Sequence, residues 1–407
     1  MKRLEEEKPA LIKNELLKDW MRILSYHMPT LTIPQLRGLA AWSFGMVMTR
    51  NSSLTKVSTF IASLNDENPN TVKCRLKQWY TEKSDKNGRK RSEVDVTSCF
   101  GPLLKWVYSL FSPGTTYLPF ALDATNIKDK FTVLTINVLY NSCAIPVAWK
   151  VIKGGEKGSW KPIWESLFRS LTGILPPTVQ VIVSADRGLY ANWLYDLIRE
   201  VGWHPFLRIN HHQGSFSLPG KSQWKGLSSV VPKVGTHWAG DVVCFKTNPI
   251  HTTLLARWDE GYKDPWLILT DFPVGAAHCE WYGTRSWIEC SYRDVKSDGW
   301  LWQNTRLTDP YRADRHWLAI AVATLWMVSL GSKPDGSTPK NSPEPHDSNP
   351  VEPLFESPVK PKRSLSCFSK GLLTIIADLL KGVPIRLFPL IPDPLPVHPV
   401  SLPLNTC

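Results

Sequence analysis

Absent from the sequence is any uncharged apolar run of the roughly 20 residues that a bilayer-spanning helix needs. The longest such stretch, Trp317 to Gly331, stops short of that and reads as a buried helix. No membrane span is expected. The eight cysteines, at 74, 99, 143, 244, 279, 290, 367 and 407, form no CxxC pair and keep no regular spacing, which argues against a zinc module or a disulfide framework and fits a reducing cytosol. The opening MKRLEEEKPA couples no basic start to an apolar run, so secretion is not expected either. No internal repeat is found. Acidic residues are outnumbered, 36 against 48 Lys and Arg, and the resulting formal charge of +12 favours a polyanionic partner, nucleic acid before a membrane surface. The chain of 407 residues is 43% hydrophobic, ordinary for a globular protein with a sizeable core.

Periodicity divides the chain. Residues 10 to 80 read as helices, with apolar positions three and four apart through LIKNELLKDWMRIL and IPQLRGLAAWSFGMVM. Two shorter helices follow, one starting on Ser52 or Ser53 and one on Asn70 or Thr71. The last of these sets Lys73, Arg75 and Lys77 beside Trp79 and Tyr80 and runs into the basic loop Lys83 to Arg91. Residues 1–100 are therefore expected to form a helical, helix-turn-helix-like DNA-binding domain, since a short basic helix after a turn fits a major groove. A merely solvated basic face is the competing reading.

From Tyr117 the texture changes. TYLPFALDAT, FTVLTINVLY and CAIPVAWKVI read as three strands joined by turns at Lys128–Lys130 and Asn141–Ser142. A helix around Lys161–Leu171, the strand VQVIVSAD, a helix from Tyr190 to Val201 and the strand PFLRI come next. That order predicts an α/β, ribonuclease H-like catalytic domain, a mixed sheet with flanking helices over residues 115–330, whose chemistry belongs at strand ends. An all-β insertion is expected at about 210–280, from DVVCFKT, HTTLLARW and PWLILTDF, and helices at Arg285–Lys296 and Tyr311–Leu330. After Gly331 stand 15 of the 33 prolines, so residues 331–407 read as a largely disordered tail carrying one amphipathic helix at about 364–382.

Asp123, in ALDAT, and Asp186, in VIVSADRG, each leave an apolar strand near its end. Such carboxylates need a counter-charge, and their hard oxygens suit Mg²⁺ or Mn²⁺. Each alone is also what a turn or helix cap would use. Tyr282, Arg285, Glu289 and Lys296 follow the spacing Y-x2-R-x3-E-x6-K, which on an α-helix confines them to an arc of roughly 60°. The alternative for this face is an ordinary i, i+4 Arg–Glu pair.

With these three ordered motifs, the sequence resembles the bacterial insertion-sequence transposases of the Y-R-E-K type, the family named after insertion sequence four, over residues 30 to 330. The resemblance implies a DDE transposase acting at insertion-sequence ends, with Asp123, Asp186 and Glu289 as catalytic triad and as ligands of two Mg²⁺ or Mn²⁺ ions. Tyr282, Arg285 and Lys296 would hold DNA phosphates. It further implies double-stranded DNA as partner, terminal inverted repeats and target alike, a homodimer on paired ends, and a bacterial cytoplasmic, nucleoid-associated setting. The Pro-rich tail departs from the family pattern.

Lys73, Arg75, Lys77 and Arg187 complete the candidate DNA contacts, Arg187 and Lys128 because they flank the strand ends. Among nineteen tryptophans, Trp224, Trp238, Trp258 and Trp266 are candidate base-stacking platforms, although most tryptophans belong in the core. His211 and His212 receive no role, since neighbours on a strand point to opposite faces. Two other classes compete: a ribonuclease H-like endonuclease that joins no strands, and a catalytically silent DNA-binding protein derived from a transposase.

Overall fold

The computed structural model describes residues 14–86, 91–333, 365–392 and 395. Helices α1 (Glu15–His27), α2 (Ile33–Thr49), α3 (Leu54–Asn65), α4 (Pro69–Tyr80) and α5 (Thr97–Leu110) come first. Polar side chains fix their starts: Asn14 accepts from the Leu17 N–H, and Gln35 reaches back to the N–H of Thr32. Asn68 caps α4, which therefore begins at Pro69, ahead of the expected Asn70 or Thr71; proline suits a first turn because it has no N–H to satisfy. Helix α5 was not foreseen because Gly101 and Pro102 lie inside it. It forms because Leu103, Leu104, Trp106 and Val107 are all buried, and tertiary packing outweighs weak local propensity.

The centre of the molecule is a mixed sheet. Strands β1 (Tyr117–Ile127), β2 (Phe131–Tyr140) and β3 (Cys143–Lys153) form an antiparallel meander, and α6 (Lys161–Leu171) leads to β4 (Gln180–Ala185), α7 (Asn192–Glu200) and β5 (His204–Arg208). The β2–β3 turn places Asn141 and Ser142 at φ 37° and 62°, the left-handed pair that a two-residue hairpin requires. β4 runs parallel to β1, and β5 parallel to β4. Next come β6 (Ser215–Ser217), β7 (Lys225–Gly226), β8 (Thr236–Cys244), β9 (Ile250–Trp258) and β10 (Trp266–Thr270). The whole is one ten-stranded sheet in the order β3-β2-β1-β4-β5-β10-β9-β8-β6-β7. The strand-rich stretch at 210–280 thus extends the sheet instead of standing apart from it, because β10 pairs antiparallel with the otherwise free edge of β5.

Helix α9 (Pro310–Gly331) organises the remainder. Every residue from Ala313 to Gly331 is buried, and from Trp317 onward the helix carries no charge on any side. At the other sheet edge Asp314 accepts the backbone N–H of Val151 at 2.9 Å and the Lys150 ammonium at 2.8 Å, which satisfies an edge strand that would otherwise be open. Helices α2 and α4 lie against α9, and α1 to α5 share one continuous apolar core with the sheet. Helix α10 (Cys367–Leu380) also crosses α9, so closely that a Cβ on Gly371 would stand 1.9 Å from the Met327 carbonyl oxygen. Leu390 pairs with Phe111. Part of the tail expected to be disordered is therefore built into the body through Phe368, Leu372 and Ile375; its residues 334–364, 393–394 and 396–407 lie outside the described residues. Among the described residues, no helix is long and apolar enough to cross a membrane.

Candidate active site

Pairing between β1 and β4 ends at Ala121 and Ser184. Asp123 and Asp186 each follow two residues later, so the register sets the two carboxylates level with one another. Asp123 does not end its strand as expected: β1 continues to Ile127 because β2 goes on pairing with it, Asp123 lying opposite Thr135. Only the β4 side falls away, and that leaves room beside Asp123. Asp186 does turn the chain. Its Oδ1 accepts from the N–H groups of Gly188 (2.9 Å) and Leu189 (3.2 Å), leaving Oδ2 for other partners. A Cβ at Gly188 would come within 3.2 Å of that Oδ1, so a bare glycine suits the turn.

The Y-R-E-K segment is not one α-helix. Cys279–Ser286 is a 3₁₀ turn, α8 (Trp287–Arg293) is α-helical, and Asp294–Asp298 widens into a π turn. The expected common face therefore breaks up, since 3₁₀ and π turns advance by different angles per residue. Tyr282 is the casualty: 5% exposed, it packs edge-on to Trp266 at 5.2 Å and bonds Arg208. Burial pushes its phenol up to about 12, with Arg285 and Arg208 opposing. Its side chain is a packing residue in this structure.

The other three positions converge. Arg285 Nη2 lies 3.1 Å from Asp123 Oδ2 and 4.0 Å from Asp186 Oδ2, and its Nη1 donates to Glu289 Oε1 at 2.6 Å. An ordinary i, i+4 pair is present, but its arginine also binds two strand carboxylates, which a solvated face would not provide. The half-buried Lys296 also feels Asp123; burial lowers its pKa and Asp123 opposes. Burial is the largest effect on Asp123, and with Asp186 and Glu289 nearby it holds that carboxyl above its ordinary range against the opposing Arg285. For Arg285, burial disfavours charge, but Asp123, Tyr282, Asp186 and Glu289 outweigh it and raise the pKa.

Three carboxylates around one guanidinium leave the cluster net negative even with Lys296 added, and all its donors are hard oxygens. Oxygen donors of this kind suit Mg²⁺ or Mn²⁺, with the Arg285 guanidinium now standing among them. Asp186 and Glu289 are 41% and 49% exposed at the side chain, within reach of an ion from solvent, while the buried Arg285 Nε finds no hydrogen-bond acceptor. No sequence pattern singles out Tyr292, whose hydroxyl meets Thr135 Oγ1 at 2.6 Å and ties α8 to the strand beside Asp123.

No protein-family model matches the chain, and no curated protein matches it. Among solved structures, the chain is similar to a piggyBac transposase synaptic complex with hairpin DNA, at 12% identity and a TM-score of 0.31, over 77% of this chain and 74% of that one. A likeness this distant assigns neither fold nor function.

The remaining candidates are placed as follows. Lys73 and Lys77 are exposed on α4, whereas Arg75 is held by Glu67 at 2.9 Å. The loop residues 87–90 lie outside the described residues. Arg187 pairs with Asp264 at 3.0 Å. Twelve tryptophans are buried, so most do belong to the core; Trp224, Trp238, Trp258 and Trp266 are all partly exposed, although Trp258 donates to the Tyr262 carbonyl and Trp266 meets Tyr262 and Tyr282 edge-on. His211 and His212 lie beyond β5, and Asn210 Oδ1 accepts the His212 N–H in a turn. Strand alternation does not apply there, and the two rings sit 3.6 Å apart.

Proposed function

We propose that this protein is a DDE transposase, which cleaves DNA at the ends of an insertion sequence and joins those ends to a target. The observation that carries the reading is the convergence of Asp123, Asp186 and Glu289, from β1, the end of β4 and α8, on the single guanidinium of Arg285. The order β3-β2-β1-β4-β5, with β2 alone reversed among β1, β2, β4 and β5, supports a ribonuclease H-like reading of the catalytic part. The motif resemblance to Y-R-E-K transposases and the +12 charge point the same way.

Asp123, Asp186 and Glu289 would hold the divalent ions, Mg²⁺ or Mn²⁺. When bound, two such ions activate a water or 3′-hydroxyl and stabilise the leaving oxygen in an in-line displacement at phosphorus. The chain's own part is orientation and charge. Thr135 and Tyr292 fix α8 against β2, so that Glu289 faces the strand carboxylates. Arg285 holds the three acids together and keeps their mutual repulsion in check. Lys296 adds a cation at the rim, suited to a phosphate oxygen. Asp186, cradled by two N–H groups, is fixed in direction before any ligand arrives. Exposed Lys73 and Lys77 on α4 are the best-placed helical contacts to a DNA backbone. Assembly as a homodimer on paired ends belongs to the same reading.

The test is product analysis. The full chain is incubated with Mg²⁺, a duplex ending in the element's terminal repeat and a target plasmid. Joined strands support a transposase; hydrolysis at the repeat boundary with no joined product identifies an endonuclease; binding with neither identifies a silent DNA-binding protein.

A further inference from the structure

Among the described residues, one group of His and Asp side chains has both the composition and the spacing of a metal site. The nitrogen and oxygen ligand atoms of His211, His212 and Asp264 all lie within 4.8 Å of one another. The Asn210 turn produces this arrangement, because it takes both histidines off the strand and brings their rings to one side. Two further observations bear on what the group can hold. His211 is buried and His212 exposed, which gives a site with one firm wall and an open side for solvent ligands. Asp264 already carries a cation, since Arg187 Nη1 lies 3.0 Å from its Oδ2.

We propose that His211, His212 and Asp264 form a binding site for a borderline divalent transition metal such as Zn²⁺, Co²⁺ or Ni²⁺. Two imidazoles and one carboxylate suit these ions, whereas Mg²⁺ prefers an all-oxygen set. Three protein ligands leave coordination positions for water on the exposed side of His212. The ion takes the place of Arg187 on Asp264. Arg187 directly follows Asp186, so metal binding frees a guanidinium at the edge of the carboxylate cluster. The site stands on its own residues and does not depend on the transposase reading.

The test is a titration of the metal-free full chain with Co²⁺, followed by visible absorption and by competition with a chromogenic chelator. One tightly bound ion per chain is expected, with bands of nitrogen and oxygen ligation, distinct from any weaker Co²⁺ held by the all-oxygen carboxylates around Arg285. Asp264→Asn and His212→Ala each weaken binding at least ~10-fold. His212 is exposed, so its variant is expected to keep the wild-type circular dichroism. Arg187→Gln tightens binding, because it removes the competing cation, and Glu289→Gln leaves it unchanged. Unaltered affinity in His212→Ala and Asp264→Asn overturns the site, as do thiolate charge-transfer bands, which place the ion on cysteine, or no binding by the natural chain.

Discussion

Arg285 reaches across from the turn before α8 to within 3.1 Å of Asp123 on β1, and this one ion pair joins two motifs that lie far apart in the chain. Around it, carboxylates that would repel one another share a single cation. The arrangement is poor for stability and good for holding divalent ions, the conflict expected at a working site.

Asp123→Asn is expected to stabilise the fold while abolishing cleavage. Burial raises the folded-state pKa of Asp123, so its favourable contribution is complete below the unfolded value near 3.9 and is lost as pH rises through the folded value. At pH 7 the amide variant should melt higher, by on the order of 2 °C, and the gap should close below about pH 4. Thermal melts across pH check this; an Asn variant that melts lower at pH 7 contradicts it.

A second pH effect belongs to Asp294, buried in the π turn between Glu289 and Lys296. Burial, helped by Asp298, raises its carboxyl to about 7, with Arg293 opposing. A raised acid stabilises below its unfolded pKa, and that contribution is lost as pH rises towards and through 7. Denaturant titrations should show stability falling between pH 5 and 8 by on the order of 3 kcal/mol, with most of that slope removed in Asp294→Asn.

On α4 the lysines and the arginine should separate. Lys73→Ala and Lys77→Ala should each weaken duplex binding across all sequences and reduce the slope of log K against log salt by about 1. Arg75→Ala should change the slope less and cost stability instead, because Arg75 is bound to Glu67. Equal slopes for all three variants would remove α4 from the DNA interface.

Gly371→Val tests whether α10 belongs to the fold. A side chain there collides with the Met327 backbone, and overpacking of this kind costs about 1–3 kcal/mol. Unfolding midpoints should drop, and protease cleavage near α10 should speed up. An unchanged midpoint would mean that α10 contributes nothing to the core.

Much of this was legible in the sequence, for identifiable reasons. The strands from Tyr117 to Arg208 are long apolar runs with clear turns, and Asp123 and Asp186 stand where a buried run meets polar residues. Arg285 and Glu289 keep their four-residue relationship in the structure, Nη1 lying 2.6 Å from Oε1, because that step spans the join of the 3₁₀ turn and α8. Tyr282 leaves the expected helix face because it lies inside the 3₁₀ turn Cys279–Ser286, and no pattern of residue types announces such a turn. Helix α5 hid behind Gly101 and Pro102. The pairing of His211 with His212 was missed because it depends on a side-chain turn from Asn210, and Asp264 joins them only through the sheet's extension beyond β5. Helix α10 was visible as an amphipathic run, but its docking depends on Gly331 and Gly371 meeting a partner backbone, a relationship between distant residues.

The most direct test of the central claim is cleavage of a duplex carrying the element's terminal repeat, in Mg²⁺, by the natural chain and by Glu289→Gln. The exchange is isosteric and Glu289 is half exposed, so folding and duplex binding should be unchanged. Cleavage should fall by roughly 10²–10³-fold or more, the scale for losing one preorganised electrostatic group at a reaction centre. Equal cleavage by both proteins would contradict the account, because it would place the reaction away from the carboxylates gathered around Arg285.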